Sequence, residues 1–278
     1  MGCCMNTKII LLAISVIFVT ACQPATQQQV IDTSTQQAAQ SAENTESSCE
    51  MTLGMDAWEP YQYMTVGHTP AGLDVELVQA VTKSMNCKLS VVQGSWLELL
   101  SMLREGDIDF VLGASKTEDR ESFAYFSEPY RQERFQLYVR ADQKDLAFDD
   151  LRAFVTAGHK VGVVNEYFYG DEVATIYADE ALRDKLVGAL ISELNMARLL
   201  DEEIDGLLED SFVGASILRR KGLDKYIQPH NISLGNADVF VMFSKASVDE
   251  QQVQQFNQAL AKLRSNGAYD KLMEKYSN

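Results

Sequence analysis

One arginine, two tryptophans and a few carboxylates are the side chains of this sequence best suited to holding a small molecule. Arg120 ends the run Ser115-Lys116-Thr117-Glu118-Asp119-Arg120, directly after a strand-like stretch, Ile108–Gly113. A guanidinium offers paired, parallel N–H donors that match a carboxylate and keeps its charge at neutral pH. Asp56 follows the first strand-like run, Glu166 and Tyr167 follow a later one, and Asp210 closes the stretch that starts at Ile204, with Glu209 just before it. Such carboxylates are natural partners for an ammonium or guanidinium. Trp58 and Trp96 are the only two tryptophans, both in loops or helix starts. An indole there is costly to leave wet unless a ligand or partner covers it. Gly113 and Ser115 read as turn residues on type alone. Other reactive chemistry is thin. His68, His159 and His230 are too dispersed for a metal set, and no phosphate-binding loop, G-x-S-x-G or Cys–His nucleophile pattern occurs. No metal, cofactor or catalytic residue is expected.

The elements that must position these groups alternate. A strand at Met51–Met55 precedes a helix at Leu73–Met85, with Leu73, Leu77, Val78, Val81 and Met85 on one face. A strand at Lys88–Val92 leads to a helix from Trp96, with Ser95 as its N-cap. After the strand at Ile108–Gly113 the theme repeats: a strand at Lys160–Val164, a helix from about Glu166, another near Ser192–Leu200, and a strand at Ile204–Glu209. LREGDIDFVLGA from Leu103 and LLDEEIDGLLED from Leu199 echo one another. Such alternation implies an α/β fold with a mostly parallel sheet covered on both faces. Val253, Phe256, Leu260 and Leu263 recur at helical spacing before Gly267 ends the run.

Composition bounds the class. In 278 residues, 46% are hydrophobic and 23% charged, as in globular proteins. The formal net charge of -16 repels phosphate backbones, so no nucleic-acid partner is expected. The apolar run Ile9–Ala21 after Lys8 has the length of a secretory signal core and is short for a membrane span. It ends in Val19-Thr20-Ala21-Cys22, which resembles a bacterial lipobox; residues 1–21 would be removed and Cys22 lipidated. With Gln23 following, the expectation is a periplasmic protein anchored by lipid alone, to the outer rather than the inner membrane. Residues 22–48 are polar, without aromatics or apolar period, and read as a disordered tether. Cys3 and Cys4 leave with the signal. Cys49 and Cys87 remain, each just before a strand-like run, and a disulfide is expected if those strands are neighbours.

Four segments stand in order: DAWEPYQY at 56–63, GLDVEL at 72–77, SWLELLSMLREGDIDFVLGASKTEDR at 95–120 and FSEPY at 126–130. Together they resemble the family 3 solute-binding proteins of amino-acid ABC transporters, over Cys49–Asn278. The resemblance implies a two-lobe periplasmic-binding-protein fold of type II, two crossing strands acting as its hinge. Residues 49–133 and 239–278 would form the first lobe and 134–238 the second. It implies further that Arg120 and Ser115 hold a ligand α-carboxylate, that the Gly113 carbonyl and Asp210 take its ammonium, and that Trp58 and Trp96 sandwich its side chain. Arg120 and Asp210 would then face each other across the cleft. Asp56 could reach a cationic side chain. Where the family often has Gly-Thr-Thr or Gly-Ser, this chain has Glu166 and Tyr167, which leaves room for a cationic or modified ligand using those side chains. The expected role is capture of a small polar ligand, an amino acid or derivative, for an ABC permease, without catalysis. Two alternatives share the fold: a cyclohexadienyl dehydratase, which would need Glu166 as its acid, and a sensory receptor.

Overall fold

The computed structural model describes residues 49–276. The expected signal segment, the Cys22 lipidation site and the tether lie outside the described residues. The first strand, β1 (Cys49–Met55), is followed by the two-residue strands β2 (Tyr63–Met64) and β3 (Pro70–Ala71), then α1 (Leu73–Ser84), β4 (Cys87–Gln93), α2 (Trp96–Glu105), β5 (Phe110–Ala114), α3 (Glu118–Phe123) and β6 (Ala124–Phe126). A long strand, β7 (Arg131–Arg140), leads to α4 (Leu151–Thr156), β8 (Val161–Val164), α5 (Asp171–Ala178), β9 (Leu186–Ala189), α6 (Ser192–Leu200), β10 (Gly206–Asp210) and α7 (Ser211–Lys221). The chain returns along β11 (Ile227–Ser244) to α8 (Glu250–Ser265) and α9 (Ala268–Tyr276).

These strands make two lobes. In one, β1 pairs parallel with β4 and β5, and the C-terminal part of β11 runs antiparallel to β5 and β6. In the other, β8 pairs parallel with β9 and β10, and β10 runs antiparallel to β7. β7 and β11 pair along most of their length and belong to both lobes, so they are the crossing strands. Each lobe has its own core. Met51, Leu53, Val78, Phe110, Phe243 and Phe256 meet in the first; Leu137, Phe154, Val161, Val163, Ile176 and Leu208 in the second. Strand runs such as Val161–Val164 are buried at every position because helices cover both faces. Among the described residues no helix is long and apolar enough to cross a membrane.

Local signals set the element ends. Ser95 caps α2 in a reciprocal box, accepting from the Glu98 N–H while Glu98 accepts from its own. Gly106, at φ 83°, ends that helix where a Cβ would come within 3.0 Å of the Ala246 side chain. One expected boundary moves. No helix begins at Glu166: residue 166 is left-handed at φ 62°, the chain turns through 165–170, and α5 starts at Asp171 after Gly170 at φ 95°. The Tyr169 hydroxyl, hydrogen-bonded by the Val164 N–H at 2.8 Å, stabilises that turn, a contact with no trace in helical periodicity.

Cys49 and Cys87 face each other at the first rung of the β1–β4 pair, with Cα atoms 4.5 Å apart, and are bridged. In protein exported to an oxidising compartment, alkylation without reductant is expected to place two fewer labels than after reduction, read by intact mass. Equal labelling would refute the bridge there.

Candidate functional site

Between the lobes lies a cavity with about 360 Å³ of space not filled by atoms, part of it open to solvent. Of the residues singled out from sequence, Asp56, Trp58, Trp96, Gly113, Ser115, Arg120 and Tyr167 line it. Parallel strands and the turns after them bring these groups together: Asp56 follows β1, Gly113 lies at the end of β5 and Ser115 just after it, and Tyr167 follows β8. Gly113 is required on two counts. Its φ is 75°, and a Cβ would stand 3.1 Å from the Trp58 ring.

Arg120 lies in the first turns of α3, whose cap is the Thr117 hydroxyl. Its guanidinium is buried against the Trp96 ring, 5.4 Å from the centroid. One terminal nitrogen donates to the Ser115 carbonyl at 2.8 Å and the other to the Glu166 carbonyl at 2.7 Å. Burial draws its pKa down to about 10, opposed by the charges of Glu133 and Glu166, so it remains a cation at neutral pH. Among the described residues it makes no ion pair, whereas the other buried arginine nearby, Arg131, is bound to Asp74.

The loop 165–168 reaches across from the second lobe. The Glu166 carbonyl accepts from Arg120 and, at 3.1 Å, from the Trp96 indole, while its side chain is exposed. The expectation that the Glu166 side chain enters the cleft is therefore corrected. The carbonyl of this left-handed residue, and not its carboxylate, is what meets the first lobe. Tyr167 stands edge-on to both tryptophans, with ring centroids 6.1 Å from Trp58 and 5.8 Å from Trp96, and its hydroxyl donates to Asp56 at 3.0 Å. Tyr61 backs the wall, 5.0 Å from Trp58.

Acidic groups crowd this cavity. Burial pushes Asp56 up to about 6, opposed by the hydrogen bonds from Tyr167 and the Ala57 N–H. Glu209 accepts from the Trp58 indole at 3.1 Å, and burial raises it to about 7. The amide oxygen of Gln62, on the cavity wall, has no hydrogen-bond partner among the described residues. Asp210 is differently employed. It caps α7, accepting from the N–H groups of Phe212 and Val213, takes the Arg134 N–H as well, and does not line the cavity. The opposition of Arg120 and Asp210 expected from sequence is therefore not what lines the cleft; the carboxyls on its wall are Asp56 and Glu133, the second not singled out from sequence, with Gln62, Phe135 and Phe168 also added. Strand alternation along Arg131, Glu133 and Phe135 was the available signal for Glu133.

Comparison with known proteins agrees with this geometry. Residues 51–278 match the model of the bacterial extracellular solute-binding proteins, family 3. A probable histidine-binding protein of Neisseria gonorrhoeae is 29% identical over 224 residues, covering 78% of each chain. An arginine-binding extracellular protein of Bacillus subtilis (strain 168) is 23% identical, covering 82% of this chain and 86% of its own. Among solved structures, an ancestral arginine-binding protein bound to arginine superposes with a TM-score of 0.72 at 20% identity, over 82% of this chain and 98% of that one.

Proposed function

Because the chain belongs to the bacterial extracellular solute-binding proteins, family 3, we propose that it captures an amino acid with a cationic side chain between its lobes. The observation that carries this reading is the imbalance of the cleft. Asp56, the unpartnered oxygen of Gln62 and the faces of two indoles, with Glu209 behind Trp58, stand against one guanidinium that makes no ion pair among the described residues. Such a lining is complementary to a ligand with one carboxylate and many N–H donors. Arg120 holds the carboxylate with the help of Ser115, and the Gly113 carbonyl faces the neighbouring amine. Trp58 and Trp96 flank the side chain, whose cation Asp56 receives, with Glu209 behind. The names of the histidine- and arginine-binding relatives support the same class.

Closure joins the lobes through the Tyr167–Asp56 and Arg120–Glu166 contacts and an ion pair of Arg220 with Glu59 at 3.1 Å. Ligand shifts the equilibrium toward the closed state by the contacts it adds there. Delivery to an ABC permease, processing at Cys22 and a lipid anchor in the outer membrane complete the proposal; the lipobox-like Val19–Cys22 sequence supports the anchor.

Thermal-shift and calorimetric titration with arginine, lysine, histidine and glutamine tests the ligand class. A ligand at 100 times its dissociation constant adds about 2.7 kcal/mol to stability. Binding of glutamine alone would overturn the cationic class. Asp56→Asn is expected to weaken arginine at least about tenfold, by loss of a charge-assisted hydrogen bond, with much less effect on glutamine. Equal effects on both ligands would remove Asp56 from the side-chain site.

A further inference from the structure

Glu133 is a carboxyl that the recognisable motifs do not mark. It stands on β7 where that strand crosses between the lobes, on the buried side of the alternation, and is 4% exposed. One of its oxygens accepts the Ser115 hydroxyl at 3.3 Å, and no other protein donor reaches it among the described residues. The neighbouring charges are committed elsewhere. Arg131, on the same strand, makes two hydrogen bonds to Asp74. Asp210 takes three backbone N–H groups. Glu133 alone among these three lines the cavity, beside Arg120 and Ser115.

We propose that Glu133 receives the α-amino group of the ligand, next to the α-carboxylate held by Arg120. This rests on the amino-acid reading of the cleft and deepens it, because it assigns the ammonium to a crossing-strand residue rather than to Asp210. The Ser115 hydroxyl holds the Glu133 carboxyl in place, and the spare acceptor capacity of that carboxyl is met by an N–H donor only when ligand is bound. In its deprotonated form the same group also disfavours ligands that bring a carboxylate without an amine, through like-charge repulsion.

The ionisation of Glu133 supports the assignment. Burial is the largest influence on it. Arg131 and the Ser115 hydroxyl oppose that influence, Asp210 and Asp74 add to it, and the carboxyl is pushed up to about 8. Arg120, on α3, is the other charge that senses it. A group that is protonated below about pH 8 in the free protein must lose its proton to pair with an ammonium. Arginine affinity in the wild type is therefore expected to fall as pH drops from about 8, and binding near neutral pH to release protons. Asp56 and Glu209, raised to about 6 and about 7, extend the same trend to lower pH.

The test compares wild type and Glu133→Gln, as the full chain, with two probes: L-arginine and its deamino analogue, 5-guanidinopentanoate. Wild type should prefer arginine. The substitution should weaken arginine at least about tenfold and the analogue by about threefold or less, since only arginine carries the amine. The part of the pH dependence nearest pH 8 should disappear with it. Glutamine fills the same space and keeps the Ser115 hydrogen bond, so melting without ligand should not fall. Equal weakening of both probes, arginine affinity within about twofold of wild type, or a lowered ligand-free melting temperature would each overturn the assignment. Failure of the wild type to bind arginine, lysine or histidine would instead overturn the cationic amino-acid reading and the Glu133 assignment with it.

Discussion

Asp74→Ala is expected to cost about 3–5 kcal/mol of folding stability, a large share of the 5–15 kcal/mol typical of a domain. Asp74 and Arg131 form a pair with side-chain exposures of 0% and 5%, joined by hydrogen bonds of 2.9 and 3.1 Å. Tyr130 also donates to Asp74, at 2.6 Å, and accepts the Gly113 N–H at 3.0 Å. The network thus ties α1, the start of β7 and the strand end that lines the cleft. Removing the carboxylate leaves the Arg131 guanidinium buried against Tyr61, 3.6 Å from the ring centroid, without the hydrogen-bonded anion that neutralises it. The exposed Lys88–Glu50 pair is the control; Glu50→Ala there should cost less than about 1 kcal/mol. Urea denaturation measures both. A loss below about 1 kcal/mol at Asp74 would show that the buried pair is not what holds the crossing strand.

Arg120→Lys is expected to weaken binding by about 1.5–3 kcal/mol, while the fold is retained. Lysine keeps the charge but has no planar fork, and one ammonium cannot reproduce the geometry in which two nitrogens reach the Ser115 and Glu166 carbonyls on opposite sides of the cleft. The substitution therefore removes bidentate recognition of the ligand carboxylate together with part of the lobe-to-lobe contact. Calorimetry with arginine reads the loss. Unchanged affinity would exclude Arg120 as the carboxylate anchor.

The Glu166 carbonyl has a consequence for closure. It collects two donors from the first lobe, Arg120 and the Trp96 indole, and Tyr167 stands against both tryptophans. A ligand that enters between the indoles meets this loop directly, so loop position and ligand occupancy are coupled, and binding rates should respond to substitutions at Tyr167.

Local chemistry made much of this protein legible. The reciprocal cap at Ser95 and Glu98, the period of α1, and the positions of Cys49 and Cys87 before strand-like runs follow from short-range patterns, because each depends on a few neighbouring residues. The ordered segments around Trp58, Trp96 and Arg120 marked the family and the residues that line the first-lobe side of the cleft. What tertiary structure alone decided is which acid faces the cavity. Glu133, Glu209 and Asp210 are alike in type, and their neighbouring residues do not say which way each points. Strand parity across the β7–β11 pair turns Glu133 to the cleft, the start of α7 claims Asp210 as its cap, and at the left-handed Glu166 the carbonyl meets the first lobe while the side chain is exposed. The cap at Asp210 is local, but the burial of Glu133 on the cleft wall depends on its pairing with Ala237, far along the chain, and is set only when the crossing strands assemble.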